Sequence, residues 1–238
     1  MTVQSTMQHQ MMGYDRSSTM FSPDGRLLQA EYAKKSVRRA ATSLGIVCKD
    51  GVILLANKVL FDKLMVPEFS SEKIFQVDDH IGASATGFLM DARILIERAQ
   101  VIAQQNRVTF DHEIDILTVV KDIANMKQAY TQYGGGRPFG VSFLFAGVDE
   151  IGPQLYVTDV TGIYFGYKAT AIGEHEQPIK DFLDKKYKEN MTIEQGLKLG
   201  IEAFKKAQDK DFDLHKIEGA IIDVKNKKFK RVTKKELQ

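Results

Sequence analysis

The sequence predicts an antiparallel α+β fold. Three observations carry this: short apolar runs joined by tight polar turns, amphipathic helical segments that arrive in pairs, and no regular strand–helix–strand alternation. Strands linked by two or three residues pair antiparallel, whereas each step of a parallel sheet needs a long crossover. The 238 residues are 43% hydrophobic, enough for one substantial core near the upper size of a single domain.

In chain order, Pro23 has no amide hydrogen to lose and a preset φ, so it suits a first helical position with Ser22 as N-cap. Leu28 and Tyr32, and Ala33 and Val37, lie four apart on shared faces, and Glu31 to Lys35 is an acid-before-base pair at the favourable spacing. Lys34, Lys35, Arg38 and Arg39 crowd the C-terminal end, where positive charge offsets the helix dipole. Apolar runs at 44–48 and 52–56 flank Lys49-Asp50-Gly51, whose Asp-Gly supplies hairpin chemistry, and 73–77 with 81–85 repeat the arrangement around Asp78-Asp79-His80. Helical periodicity follows over 88–105 and 114–130, the second marked by Ile116, Val119, Val120, Ile123, Ala124 and Met126. Gly134-Gly135-Gly136-Arg137-Pro138 breaks the pattern, and 141–146, 154–158, 162–165 and 168–172 read as short strands. Helices over 178–187 and 193–207, the latter capped by Thr192, precede strands at 220–224 and 229–232.

Composition excludes several classes. Lys plus Arg number 33 and Asp plus Glu 31, so no global charge favours nucleic acid or a bilayer surface. No run approaches the roughly 18 apolar residues of a membrane span. The single Cys48, inside an apolar run, cannot form an intramolecular disulfide and reads as a buried small hydrophobe, which fits a reducing, cytoplasmic setting. The stretch before Tyr14 has four Met and three Gln and reads as a mobile terminus rather than a targeting peptide. No linker rich in Pro, Gly and Ser splits the chain.

Tyr14-Asp15-Arg16, the run Phe21 to Leu27, and Gln29-Ala30-Glu31-Tyr32-Ala33 resemble the signature of proteasome α subunits. Further blocks of that family follow in order: Ser71-Glu72-Lys73-Ile74, Ala85-Thr86-Gly87 with Asp91-Ala92-Arg93, and Tyr130 to Val141, the last most similar to archaeal members. The resemblance covers nearly the whole chain. It implies a four-layer αββα sandwich, the fold of N-terminal nucleophile hydrolases, over residues 41–238, preceded over residues 1–40 by a gating tail and a ring-contact helix.

Catalytic β subunits on this fold use an N-terminal threonine whose own amine is the base for its hydroxyl. Here Ala41 stands where that threonine would fall, and about forty residues precede it. Thr42 would need cleavage ahead of it to gain a basic amine, so a processed threonine peptidase starting at Thr42 is one alternative, and a self-standing binding scaffold is another. The β family's catalytic aspartate aligns with Asn57, which is neutral, and its lysine aligns with Lys73. By resemblance, therefore, the chain is a noncatalytic subunit of a seven-membered α ring stacked on β subunits, with no cofactor and no metal of its own. Unfolded substrates pass the pore of such a ring, and C-terminal tails of activator ATPases dock on it; neither nucleic acid nor membrane is a partner.

The same resemblance assigns residues. Tyr14, Asp15, Arg16, Pro23 and Tyr32 match the gate, where a hydroxyl and a carboxylate can pair across a subunit boundary. Lys73 matches the ammonium that receives an activator's terminal carboxylate, with Leu27, Glu31, Gly87 and Phe88 at other pocket positions and Ala40 where glycine is usual. Tyr133, Arg137 and Phe139 belong to a turn expected at ring contacts. Other motifs are incomplete. Gly82 to Gly87 lacks the Lys-Ser/Thr of a phosphate loop, Gly134-Gly135-Gly136 follows a helix rather than a strand, and Asp209, Asp211 and Asp213 are followed by Leu214 where a calcium loop needs Gly. His175 and His112, each among acidic neighbours, lack a second ligand at metal spacing.

Overall fold

The computed structural model describes residues 12–58, 64 and 72–237. Residues 1–11 and Ser71 lie outside them, so the reading of a mobile terminus and the first residue of the Ser-Glu-Lys-Ile block are not addressed by it. Helix α1 (Leu28–Arg38) is followed by β1 (Ser43–Cys48), β2 (Gly51–Asn57), β3 (Ile74–Asp78) and β4 (Ile81–Gly87). Next come α2 (Leu89–Phe110), α3 (Ile116–Gln132), β5 (Val141–Val148), β6 (Pro153–Thr158), β7 (Tyr164–Gly166) and β8 (Ala169–Ile172). The chain closes with α4 (Glu176–Lys186), α5 (Ile193–Gln208), two 3₁₀ turns, β9 (Ile217–Asp223) and β10 (Phe229–Val232).

Two five-stranded antiparallel sheets form, in the orders β10-β9-β2-β1-β8 and β3-β4-β5-β6-β7. Three cores stack between the layers. Ile53 and Leu55 of β2 face α4 and α5 with Ile179, Leu183 and Phe204, while Val52, Leu54 and Ala56 face the other sheet. Phe143 and Phe145 of β5 face α2 and α3 with Leu95, Val119 and Ile123, while Leu144, Ala146 and Val148 meet β2 between the sheets. Both sheets are covered on both faces, so β2 and β5 read as unbroken apolar runs instead of alternating ones, and the layer order is αββα.

The expected start of α1 is corrected. Pro23 and Asp24 occupy the corner of a turn in which the Gly25 amide donates to the Ser22 carbonyl at 2.8 Å, and Gly25 takes a left-handed φ of +72°. Proline presets this corner as well as a helix start, and the glycine ends any helix begun there. The helix opens instead at Leu28, after an isolated bridge between Phe21 and Leu27. Glu31 pairs with Arg26 rather than Lys35, which lies over the Tyr32 ring with Nζ 5.3 Å from its centroid. Strand β9 begins at Ile217, three residues before the expected start, because β2 continues alongside it, with Leu55, Ala56 and Asn57 opposite Gly219, Glu218 and Ile217. Thr192 caps α5 as expected, its hydroxyl accepting the Gln195 amide at 3.3 Å and the Gln195 side chain accepting the Thr192 amide at 3.0 Å. Cys48 is buried and its thiol is pushed up to about 12 by burial.

Candidate functional site

The site lies where the start of β1 meets the ends of β3 and β4. Thr42 is buried at 1% exposure, and its hydroxyl oxygen accepts the backbone amide of His175 at 3.1 Å. The preceding carbonyl, of Ala41, accepts from the Lys73 ammonium and, at 3.5 Å, from the Thr86 hydroxyl. Behind it, the Ser84 and Thr86 hydroxyls both donate to Ser43 Oγ, at 2.8 and 2.9 Å, forming a buried polar bridge between the two sheets. A cleft of about 380 Å³ opens here, lined by Ala41, Thr42, Asn57, Lys58, His175 and Lys216 among others. A larger groove of about 590 Å³ runs along α2 past Val101 and Val108, but Glu97 is its one titratable residue, so chemistry belongs to the first.

Lys73 is 4% exposed, and burial drives its ammonium down to about 7 against the opposing charge of Glu218. Gly173, at φ +114°, lets the chain pass where any Cβ would stand 2.8 Å from the Ala40 carbonyl and 2.9 Å from Thr42 Cα. Gly87 serves the same purpose at φ +124°, since a Cβ there would sit 2.1 Å from the Gly140 carbonyl that accepts the Phe88 amide. Ala40, Lys73, Gly87 and Phe88 therefore converge on one end of the sandwich. Leu27 and Glu31 sit together at the start of α1, which reaches β5 through a 3.5 Å hydrogen bond from the Ser36 hydroxyl to Gly140. Arg26 grips Glu31 through both Nε and Nη2, and that contact holds the Glu31 carboxyl below the usual carboxylate range.

Asp15 accepts the Tyr32 hydroxyl at 3.3 Å within one chain, and the Gln29 amide donates to its carbonyl. Arg16 and Pro23 are exposed nearby, and Tyr14 is partly covered. At the Gly-rich turn, Arg137 makes two 2.6 Å hydrogen bonds to Asp91, whose Oδ2 also takes the Gly140 amide at 2.8 Å. Tyr133 is 74% exposed, whereas Phe139 is 8% exposed, packs at a tilt against Tyr130 with ring centroids 4.6 Å apart and belongs to the core beneath α2 and α3. Sequence reasoning missed two charged residues: Glu218 on β9, which accepts the Lys73 and Ile74 amides, and Lys127, fully buried on α3 with its ammonium 2.8 Å from the Thr158 hydroxyl and 4.7 Å from the centre of the Phe143 ring. Lys127 occupies a position of the apolar face of α3, and a lysine breaking that face was the only available signal.

Residues 37–222 match the family of proteasome subunits, and residues 14–35 match the N-terminal signature of proteasome subunits of the A type. The chain belongs to the proteasome subunit family, in its alpha branch. It is 46% identical over 226 residues to a proteasome subunit alpha of Methanosarcina thermophila, covering 95% of this chain and 91% of that one. A proteasome subunit alpha of Pyrococcus abyssi is likewise 46% identical over 95% of this chain and 86% of its own length, and that of Archaeoglobus fulgidus 46% over 95% and 92%. As a proteasome alpha subunit, the chain assembles with other proteasome subunits.

Proposed function

We propose that this proteasome alpha subunit is noncatalytic and forms the seven-membered outer ring of a 20S core particle in the cytoplasm. There it gates entry of unfolded substrates, docks the C-terminal tails of activator ATPases and supports assembly of the proteolytic β rings. The observation that carries the noncatalytic reading is the nucleophile position itself: Ala41 stands there, the hydroxyl of neighbouring Thr42 is capped by the His175 amide, Asn57 replaces a carboxylate, and Lys73 is committed to the Ala41 carbonyl. An amide nitrogen has no basicity to lend to a hydroxyl. The chain ahead of Ala41, with Tyr14, Asp15, Arg16, Pro23 and Tyr32 held near α1, is then available as gate, so residues 1–40 act as a functional extension of the sandwich in 41–238. Tyr133 and Arg137, with α1, serve the ring contact while Phe139 packs behind them in the core, and the exposed apolar face of α2, including Val101 and Val108, is the kind of surface that assembly covers. Among the described residues no helix is long and apolar enough to cross a membrane, and no cluster of metal-ligating side chains forms.

Docking at Lys73, in the pocket of Leu27, Glu31, Ala40, Gly87 and Phe88, requires its ammonium to exchange the Ala41 carbonyl for an incoming carboxylate. Substituting Lys73→Ala is expected to weaken activator-stimulated degradation while leaving small-peptide hydrolysis by the assembled particle near normal. The decisive test of the wider reading is peptide hydrolysis by the purified chain alone and after mixing with a β subunit, with the intact mass of the mature chain. Hydrolysis only in the mixture, with residues ahead of Ala41 retained, is expected. Activity of the isolated chain with Thr42 as its terminus overturns it.

A further inference from the structure

Strand β3 is the edge of its sheet, so the amides at its start have no strand to pair with and need another acceptor. One side chain of the opposite sheet supplies it. Glu218, whose side chain is 9% exposed on β9, accepts the Lys73 amide at 2.7 Å and the Ile74 amide at 3.0 Å through Oε1. Its Oε2 lies 2.9 Å from the Lys58 ammonium and 3.9 Å from Arg231, which in turn bonds Glu72 at 3.0 Å and the Ile74 carbonyl at 3.1 Å. The backbone of Lys58 is tied to the same region, its amide donating to the Lys216 carbonyl at 2.7 Å. One carboxylate thus anchors Lys58 and Lys73, the flanks of the stretch between β2 and β3. While the Lys73 backbone is held on this side, its side chain reaches to the Ala41 carbonyl.

We propose that Glu218 is the positioning residue of the Lys73 site: it fixes the start of β3 on the opposite sheet and supplies the negative charge that keeps the buried ammonium aimed at the Ala41 carbonyl. The consequence for docking rests on the reading of Lys73 given above; the positioning itself does not. A carboxylate that accepts two consecutive amides does two separable things. Its oxygen satisfies the amides, which a neutral carboxamide oxygen also does, and its charge favours the ammonium form, which a carboxamide does not.

The test uses Glu218→Gln and Glu218→Ala in the full chain, assembled with a β subunit. Hydrogen exchange at the Lys73 and Ile74 amides is expected to quicken on the order of tenfold with Ala and to change little with Gln. Acylation of Lys73, followed by mass spectrometry from pH 5 to 10, is expected to shift its midpoint to lower pH with Gln, because the neutral amine then forms more readily. Unchanged exchange at both amides in a folded Ala variant overturns the proposal. If the Ala variant does not fold, the Gln variant decides: a midpoint equal to that of the unsubstituted chain overturns it and a lowered midpoint upholds it. Binding of a synthetic peptide ending in a free carboxylate, compared between the unsubstituted chain and Lys73→Ala, tests docking separately. Equal binding there sinks the docking role and leaves the exchange and acylation readouts standing.

Discussion

Asp91 is buried at 7% exposure, yet it remains a carboxylate because three donors meet it, two from Arg137 and one from Gly140. Burial opposes its ionisation, but these contacts outweigh burial and hold the Asp91 carboxyl below the usual range. Removing the guanidinium leaves a charge with one neutral donor. Arg137→Ala is therefore expected to cost about 1.5–3 kcal/mol, nearer the lower figure because Arg137 itself is half exposed. The sign with pH follows from the depressed carboxyl: the contribution is full above the unfolded value near 4 and is lost as pH falls through the folded one. Urea unfolding at pH 7 and pH 3 checks this, and a difference between the two chains that grows on acidification contradicts it.

At the scale of the element, α3 carries a buried ammonium that no carboxylate among the described residues touches. Burial pushes Lys127 down to about 7, with the charge of Asp159 opposing. The unfolded chain therefore holds a proton that the folded chain sheds between about pH 7 and the ordinary lysine value near 10.4, so stability rises with pH across that window and is lowest below it. Lys127→Met, similar in length and apolar, is expected to remove its share of this slope, so the melting temperature of the variant relative to the unsubstituted chain is highest at pH 6 and declines toward pH 10; a flat difference refutes the assignment. On α5, Thr192→Ala removes a capping box and is expected to cost about 1 kcal/mol by chemical denaturation. This cap was legible in sequence, since a Thr followed three residues later by Gln has one dominant use before an apolar run. Ser22-Pro23 was not, because the same two residues serve a helix start or a turn corner, and Gly25, three residues past Ser22, decided between them. Strands β2 and β5 were legible as strands, but an apolar run alone does not say that both faces are covered; that became visible only with the second sheet in place.

For the whole molecule, the motifs named the site but not its internal wiring. The residues around Lys73 come from β1, β3, β4 and β9, and sequence shows neither that its ammonium turns inward to Ala41 nor that Glu218, some 145 positions away, holds its backbone. The outward surface is more directly testable. Tyr133 projects at 74% exposure from the end of α3, beside three glycines, and its hydroxyl has no partner among the described residues. In the ring proposed above, a contact between copies would take this aromatic side chain out of water. Tyr133→Glu is expected to change the stability of a single chain by about 0.5 kcal/mol or less, as exposed substitutions do. In an isologous or head-to-tail contact the same carboxylate meets apolar surface or its own copies' charges, so assembly is expected to fall while the fold persists. Native mass spectrometry of the purified variant, alongside its melting curve, separates the two effects: ring-sized species lost at an unchanged melting temperature supports Tyr133 as a contact. A ring of unchanged mass and concentration dependence removes Tyr133 from the interface and leaves α1 as the element to test next.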